Sequence, residues 1–173
     1  MMVDMYFDGQ VLTWPGVGRF KATTGNLGYQ RPTYQCVADL GPVPEGLYKV
    51  LISMLGTARD DGTGRCNLSA AWGIQTIPRG AAAKDCEPYW ANWGHNRVRM
   101  EPADIRTKNA CNPRRGGFYL HDSTKGYSHG CIEIASTFFP VLKARAGRLN
   151  RTHLILQVKY VSDRITYGGT RAQ

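Results

Sequence analysis

The 173-residue chain has no apolar run of the roughly 20 residues that a transmembrane helix needs, so no membrane insertion is expected. Its opening residues, MMVDMYFDGQV, carry Asp4 and Asp8 where a secretory signal would place lysines and then an apolar stretch. A standard signal peptide is therefore not expected, and work outside the cytoplasm would require another route. Acidic residues are few: 13 against 22 lysines and arginines, for a formal net charge of +9. The cations are scattered as Arg31, Lys49, Arg65, Arg79, Arg97, Arg99, Arg114 and Arg115. With no dense tract, no helix-turn-helix and no aromatic–basic repeat, nucleic acid is not the expected partner. Diffuse positive charge suits an acidic partner of another kind equally well, or simply a basic surface. The five cysteines lack the close pairs of a zinc knuckle or redox motif. There is also no internal repeat, no long linker and little helical periodicity.

What remains is the pattern of one small, mostly-β domain over residues 1–173, with a loosely packed tail over about 165–173. Residues 5–12 read as a hairpin turning at Asp8-Gly9, a pair suited to tight turns. Short strands are expected through Arg19–Thr23, Leu47–Met54 and residues 117–121 (GFYLH), and a strong one through THLILQVKYV, where alternate residues are apolar. A short helix follows Ser136 as cap, carries Phe139, Leu142 and Lys143 at helical spacing, and ends at Gly147. The stretch 70–100 holds Trp72, Tyr89, Trp90 and Trp93 among prolines and glycines. These aromatics either shape a cleft or fill a core.

One segment concentrates chemistry. His121 ends an expected strand, and Cys131 lies ten residues on, past a turn of Asp, Ser, Lys and Gly. A thiol becomes a nucleophile only when deprotonated, and a nearby imidazole can take that proton. Gly130 leaves room for a substrate carbonyl, and amides around it could face an oxyanion. His129 and Ser128 are candidates for supporting the turn or touching substrate. Asp122, adjacent to His121, is one candidate to orient the ring, and a backbone carbonyl is another. The rival for His121, His129 and Cys131 is zinc ligation, but no acidic residue has the spacing of a zinc-protease motif, so neither metal nor cofactor is expected. Inert burial of Cys131 is the third option. Cys36, Cys66, Cys86 and Cys111 could form two disulfides in any of three connectivities and leave Cys131 free.

The run Phe118-Tyr119-Leu120-His121, followed by Ser128-His129-Gly130-Cys131-Ile132, resembles the catalytic signature of the L,D-transpeptidases. Gly41-Pro42-Val43-Pro44-Glu45-Gly46-Leu47-Tyr48 is similar to a turn and strand of the same domains. The resemblance is greatest to small type VI secretion effectors of enterobacteria. It implies a compact β-sandwich with one or two short helices, Cys131 as nucleophile and His121 as base. The implied activity is cleavage of the diaminopimelate–D-alanine bond of peptidoglycan tetrapeptide stems, with exchange of that D-alanine through a Cys131 thioester. The alternatives are a non-catalytic peptidoglycan-binding module or a 3-3 cross-linking enzyme. Implied partners are the stem peptides, a cognate immunity protein and the type VI machinery, with delivery to a target cell's periplasm. Two departures stand out: the His121-to-Cys131 separation is short for the family, and Glu133 stands where asparagine or arginine is usual.

Overall fold

The alternation read from the sequence becomes ten strands in the computed structural model, which describes residues 1–172. In chain order they are β1 (Met5–Phe7), β2 (Val11–Trp14), β3 (Gly18–Thr24), β4 (Gly46–Leu51), β5 (Leu55–Thr57), β6 (Ile74–Thr76), β7 (Asn96–Pro102), β8 (Phe118–His121), β9 (Ile132–Ile134) and β10 (His153–Val158). Helices are α1 (Glu87–Trp90), α2 (Ile105–Lys108) and α3 (Phe138–Leu149), with three short 3-10 turns.

Eight strands form a ring in the order β4-β10-β1-β2-β3-β9-β8-β7, and β7 pairs back onto β4. The architecture is thus a closed eight-stranded β-barrel, which corrects the expected sandwich. Closure depends on the length of β7. Along one edge it pairs Asn96–Val98 with β6 and then Met100–Pro102 with Tyr48–Val50 of β4, while its other edge holds β8. Alternating apolar residues face the interior in a sandwich and in a barrel alike, so that pattern does not distinguish them.

Met5, Phe7, Leu12, Val50, Val98, Met100, Phe118, Leu120, Ile132, Ile134, Leu154 and Leu156 fill the barrel core. Helix α3 adds Phe138, Phe139 and Leu142, and Phe138 meets Phe20 edge-on at 5.2 Å between ring centroids. Each such side chain contributes about 1.5–3 kcal/mol by leaving water. The helix runs through Gly147 to Asn150, whose φ of 48° ends it, and no side-chain hydrogen bond caps its start. Both expected boundaries, Ser136 and Gly147, are therefore corrected. The last turn continues because Ala146 and Leu149 still pack on the core.

A second, smaller layer lies outside the barrel over residues 58–95. Ala58, Ile77, Ala83 and Trp90 form its core, with Leu68, Cys86 and Trp93 packed against it. Disulfides join Cys66 to Cys86 within this layer and Cys36 to Cys111 elsewhere. Thr166 is buried and its hydroxyl donates to the Thr24 carbonyl at 2.6 Å, and the Ala172 amide donates to the Thr124 carbonyl at 2.9 Å.

Candidate functional site

The register that buries Phe118 and Leu120 turns Tyr119 and His121 to the outer face of the barrel, beneath the second layer. On β7 the same parity turns Arg97 and Arg99 outward, and on β9 it turns Glu133 outward while Ile132 and Ile134 enter the core. Strands β8 and β9 run parallel with His121 opposite Glu133, so those two side chains share one face. Cys131 immediately precedes β9.

Ser123, which the sequence did not single out, joins the pair. Its hydroxyl donates to Glu133 Oε2 at 2.5 Å and lies 3.0 Å from His121 Nδ1. A hydroxyl has one proton; with that proton on Glu133, its oxygen accepts from His121 Nδ1–H. The ring is thus the Nδ1–H tautomer. Glu133 also accepts the backbone amides of Lys125 at 3.0 Å and Gly126 at 2.8 Å and the Thr170 hydroxyl at 2.5 Å. The carboxylate is fully buried and gathers the β8–β9 turn and the tail around the ring. Asp122 is not the ring's orienting partner. It faces the other way and accepts the His95 and Asn96 amides at 2.7 and 2.8 Å and Asn96 Nδ2 at 3.0 Å.

The other motif residues hold the backbone. Ser128 is buried, accepts the Gly25 amide at 3.1 Å and donates to the Cys131 carbonyl at 2.5 Å. Gly130 has φ of 102°, which strains any other residue, and a Cβ there would lie 2.2 Å from Arg115 Nη2 and push the guanidinium aside. His129 is exposed, with Nδ1 3.3 Å from Asn26 Nδ2 and its ring edge-on to Tyr127.

Two adjoining pockets meet at His129 and Cys131. One, of about 250 Å³, is lined by Cys66, Asn67, Tyr89, Asn92, Trp93, His121 and Lys125. The second, of about 230 Å³, is lined by Ala38, Asp39, Arg114, Arg115, Gly116, Gly117 and Phe118. The aromatics of the 70–100 stretch therefore divide their work. Trp90 fills the small core, Trp93 meets the His121 ring at 5.5 Å and borders the pocket with Tyr89, and Trp72 stacks on the Arg99 guanidinium outside.

Arg115 and Lys125 line this groove, and Arg97 packs against Trp93 of its aromatic side. Arg97 is 1% exposed, lies between the Trp93 and Tyr119 rings at 4.6 and 4.2 Å, and donates to Gln75 Oε1 and the Ser69 carbonyl. Arg115 donates only to the carbonyls of Gln35, Pro42 and Gly41. Lys125 is half-buried. Among the described residues, none of the three has a carboxylate within salt-bridge distance.

The thiol–imidazole chemistry does not survive this geometry. Cys131 is the free cysteine, but its sulfur approaches the Gly117 carbonyl, at 3.9 Å, and no hydrogen bond joins it to His121 among the described residues. Burial raises its pKa above the ordinary 9.0, outweighing the Tyr119 amide and the charges of Arg97, Arg115 and Arg99, which lower it. Burial, helped by Lys125 and Arg97, depresses the His121 pKa from 6.5 to about 3. Both shifts oppose moving a proton from that thiol to that ring. The other four cysteines are committed to disulfides. The expected cysteine carboxypeptidase and transpeptidase activity, with Cys131 as nucleophile and His121 as base, is corrected on these grounds. Among the described residues no cluster of three histidine, cysteine or carboxylate side chains could hold a metal. No family model matches the chain, and no curated protein is significantly similar to it.

Proposed function

We propose that the chain is a non-catalytic peptidoglycan-binding module whose groove over His129 and Cys131 holds the anionic end of a stem peptide. The observation that carries this is the pair of lining cations without a salt-bridged carboxylate, Arg115 and Lys125, in a groove with an aromatic wall. A half-buried cation that lacks a salt-bridged carboxylate raises the local potential, and an arriving carboxylate lowers the energy of both groups. The pockets are below the roughly 300 Å³ of a drug-sized ligand and suit one or two amino-acid residues of an extended peptide. Trp93 and Tyr89 offer flat apolar area beside them, and Asn67 and Asn92 offer amide hydrogen bonds.

The proposal draws on the resemblance to L,D-transpeptidases in the His121 and Ser128–Ile132 motif. In that setting the ligand is the peptidoglycan stem, the place of action is a target cell's periplasm, and delivery is by the type VI machinery with an immunity protein in the producing cell. The test is calorimetric titration of wild-type protein and Cys131→Ala with a disaccharide-tetrapeptide and with its C-terminal amide, followed by mass spectrometry of the recovered ligand. Equal binding by both proteins, weaker binding of the amide and an unchanged ligand mass are expected. Release of alanine that depends on Cys131, or no binding at all, would refute the proposal.

A further inference from the structure

Barrel strand β8 gives the groove its floor through His121 and Phe118, and the two walls beside it come from segments outside the barrel. Strands β1–β4 and β7–β10 contain no cysteine, and neither does the barrel core. Both disulfides lie outside it, one behind each wall.

On the aromatic side, residues 59–69 form a loop closed on itself by Asp61 N to Asn67 O at 2.9 Å and Ser69 N to Arg59 O at 2.8 Å. Cys66 sits near the tip with φ of 58° and lines the groove beside Asn67. The Cys66–Cys86 bond ties this tip to the 3-10 turn that leads into α1, which carries Tyr89 and Trp90. Trp90 Nε1 reinforces the tie by donating to the Cys66 carbonyl at 2.8 Å. Few apolar contacts back it, since the core of this layer holds only four buried side chains.

On the basic side, Cys36 and Cys111 join the 32–41 turn to the loop after α2. That loop continues into Arg114, Arg115, Gly116 and Gly117, which line the second pocket opposite Ala38 and Asp39. The Arg115 guanidinium spans the same gap through the Gln35, Gly41 and Pro42 carbonyls.

We infer that the groove is redox-gated: oxidation of the two cysteine pairs assembles its walls on a barrel that folds without them. In the reduced chain the barrel persists and the walls open. Each pair forms by exchange with a disulfide-bearing oxidant. Two cysteine thiols give up two protons and two electrons, one protein disulfide forms, and the oxidant's disulfide is reduced to two thiols. A reducing cytoplasm thus keeps the groove open and weak, and an oxidising compartment completes it. The stem-binding consequence rests on the function proposed above; the assembly of the walls does not.

The test compares the oxidised full-length protein with Cys66→Ser/Cys86→Ser, Cys36→Ser/Cys111→Ser and the variant combining all four substitutions. Far-UV circular dichroism and urea unfolding report the barrel. Amide exchange over 58–93 and over 35–41 with 110–117 reports the walls, and alkylation of Cys131 by iodoacetamide reports groove access. Cooperative unfolding should be retained in every variant. Each pair of substitutions should speed exchange at least tenfold in its own wall, and the combined variant should alkylate Cys131 at least tenfold faster. Disaccharide-tetrapeptide affinity should fall at least tenfold. Unchanged exchange and alkylation would overturn the inference, as would loss of cooperative unfolding in both paired variants, which would make the disulfides staples of the whole fold. If the oxidised wild type binds no stem peptide, the proposed function fails while exchange and alkylation still decide the gating.

Discussion

Holding His121 neutral makes the fold sensitive to mild acid. The ring is 4% exposed, donates its Nδ1–H to Ser123, and has its pKa depressed from 6.5 to about 3, chiefly by burial and then by the Lys125 and Arg97 charges. A histidine with a lowered folded-state pKa binds its proton more readily when unfolded. Stability is therefore fully present above pH 6.5 and is lost as pH falls from there toward 3. Between pH 7 and pH 4.5 the two pKa values predict a loss of about 2.5 kcal/mol from this one ring. The Asp4 and Asp8 carboxyls, held below the ordinary 3.8 by their hydrogen bonds and arginine partners, lose their contribution at lower pH. His153 has the same sign as His121 but is largely solvated, and it is common to both proteins compared. Urea unfolding of wild type and His121→Gln at pH 7, 6, 5.5 and 4.5 isolates the effect. The wild type should lose about 2.5 kcal/mol across the series, and the variant should be flatter by most of that amount. Parallel pH profiles would show that the ring is not held neutral, and the electrostatic case against a thiolate–imidazolium pair would fall with it.

Glu133→Ala strips the acceptor from four donors, Ser123, Lys125 N, Gly126 N and Thr170, and should cost about 3–5 kcal/mol by denaturant unfolding. It should also free the tail, seen as faster carboxypeptidase trimming. Glu133→Gln keeps one acceptor oxygen and should cost less, about 1–3 kcal/mol. Gly130→Ala meets both a φ of 102° and the Arg115 guanidinium. It should cost about 2–4 kcal/mol and weaken stem-peptide binding, both measurable on the same preparation. Raising the salt from 50 to 500 mM should weaken stem-peptide binding, because the cations supply much of the attraction. Salt-independent binding would remove them from that role.

Local chain properties wrote much of the strand layout into the sequence. Asp8-Gly9 places a turn between β1 and β2, with Gly9 at φ of 100°, and the alternation in THLILQVKYV yields β10 wherever its partners lie. Proximity in sequence likewise brings His121, Ser128, Gly130 and Cys131 to one end of β8 and β9. Closure of the sheet, the pairing of Cys36 with Cys111 and Cys66 with Cys86, and the contact of Thr170 with Glu133 join residues far apart in the chain. No local periodicity encodes such distances. Residue type does not separate Ser123 from Asp122 as partner of the ring; the hydrogen bonds of the folded chain do, joining Ser123 to His121 and Glu133 and Asp122 to residues 95 and 96. The protonation states were decided last. Residue type supplies a thiol and an imidazole with ordinary pKa values, but the surroundings that hold both neutral are assembled only when the outer layer closes over the barrel.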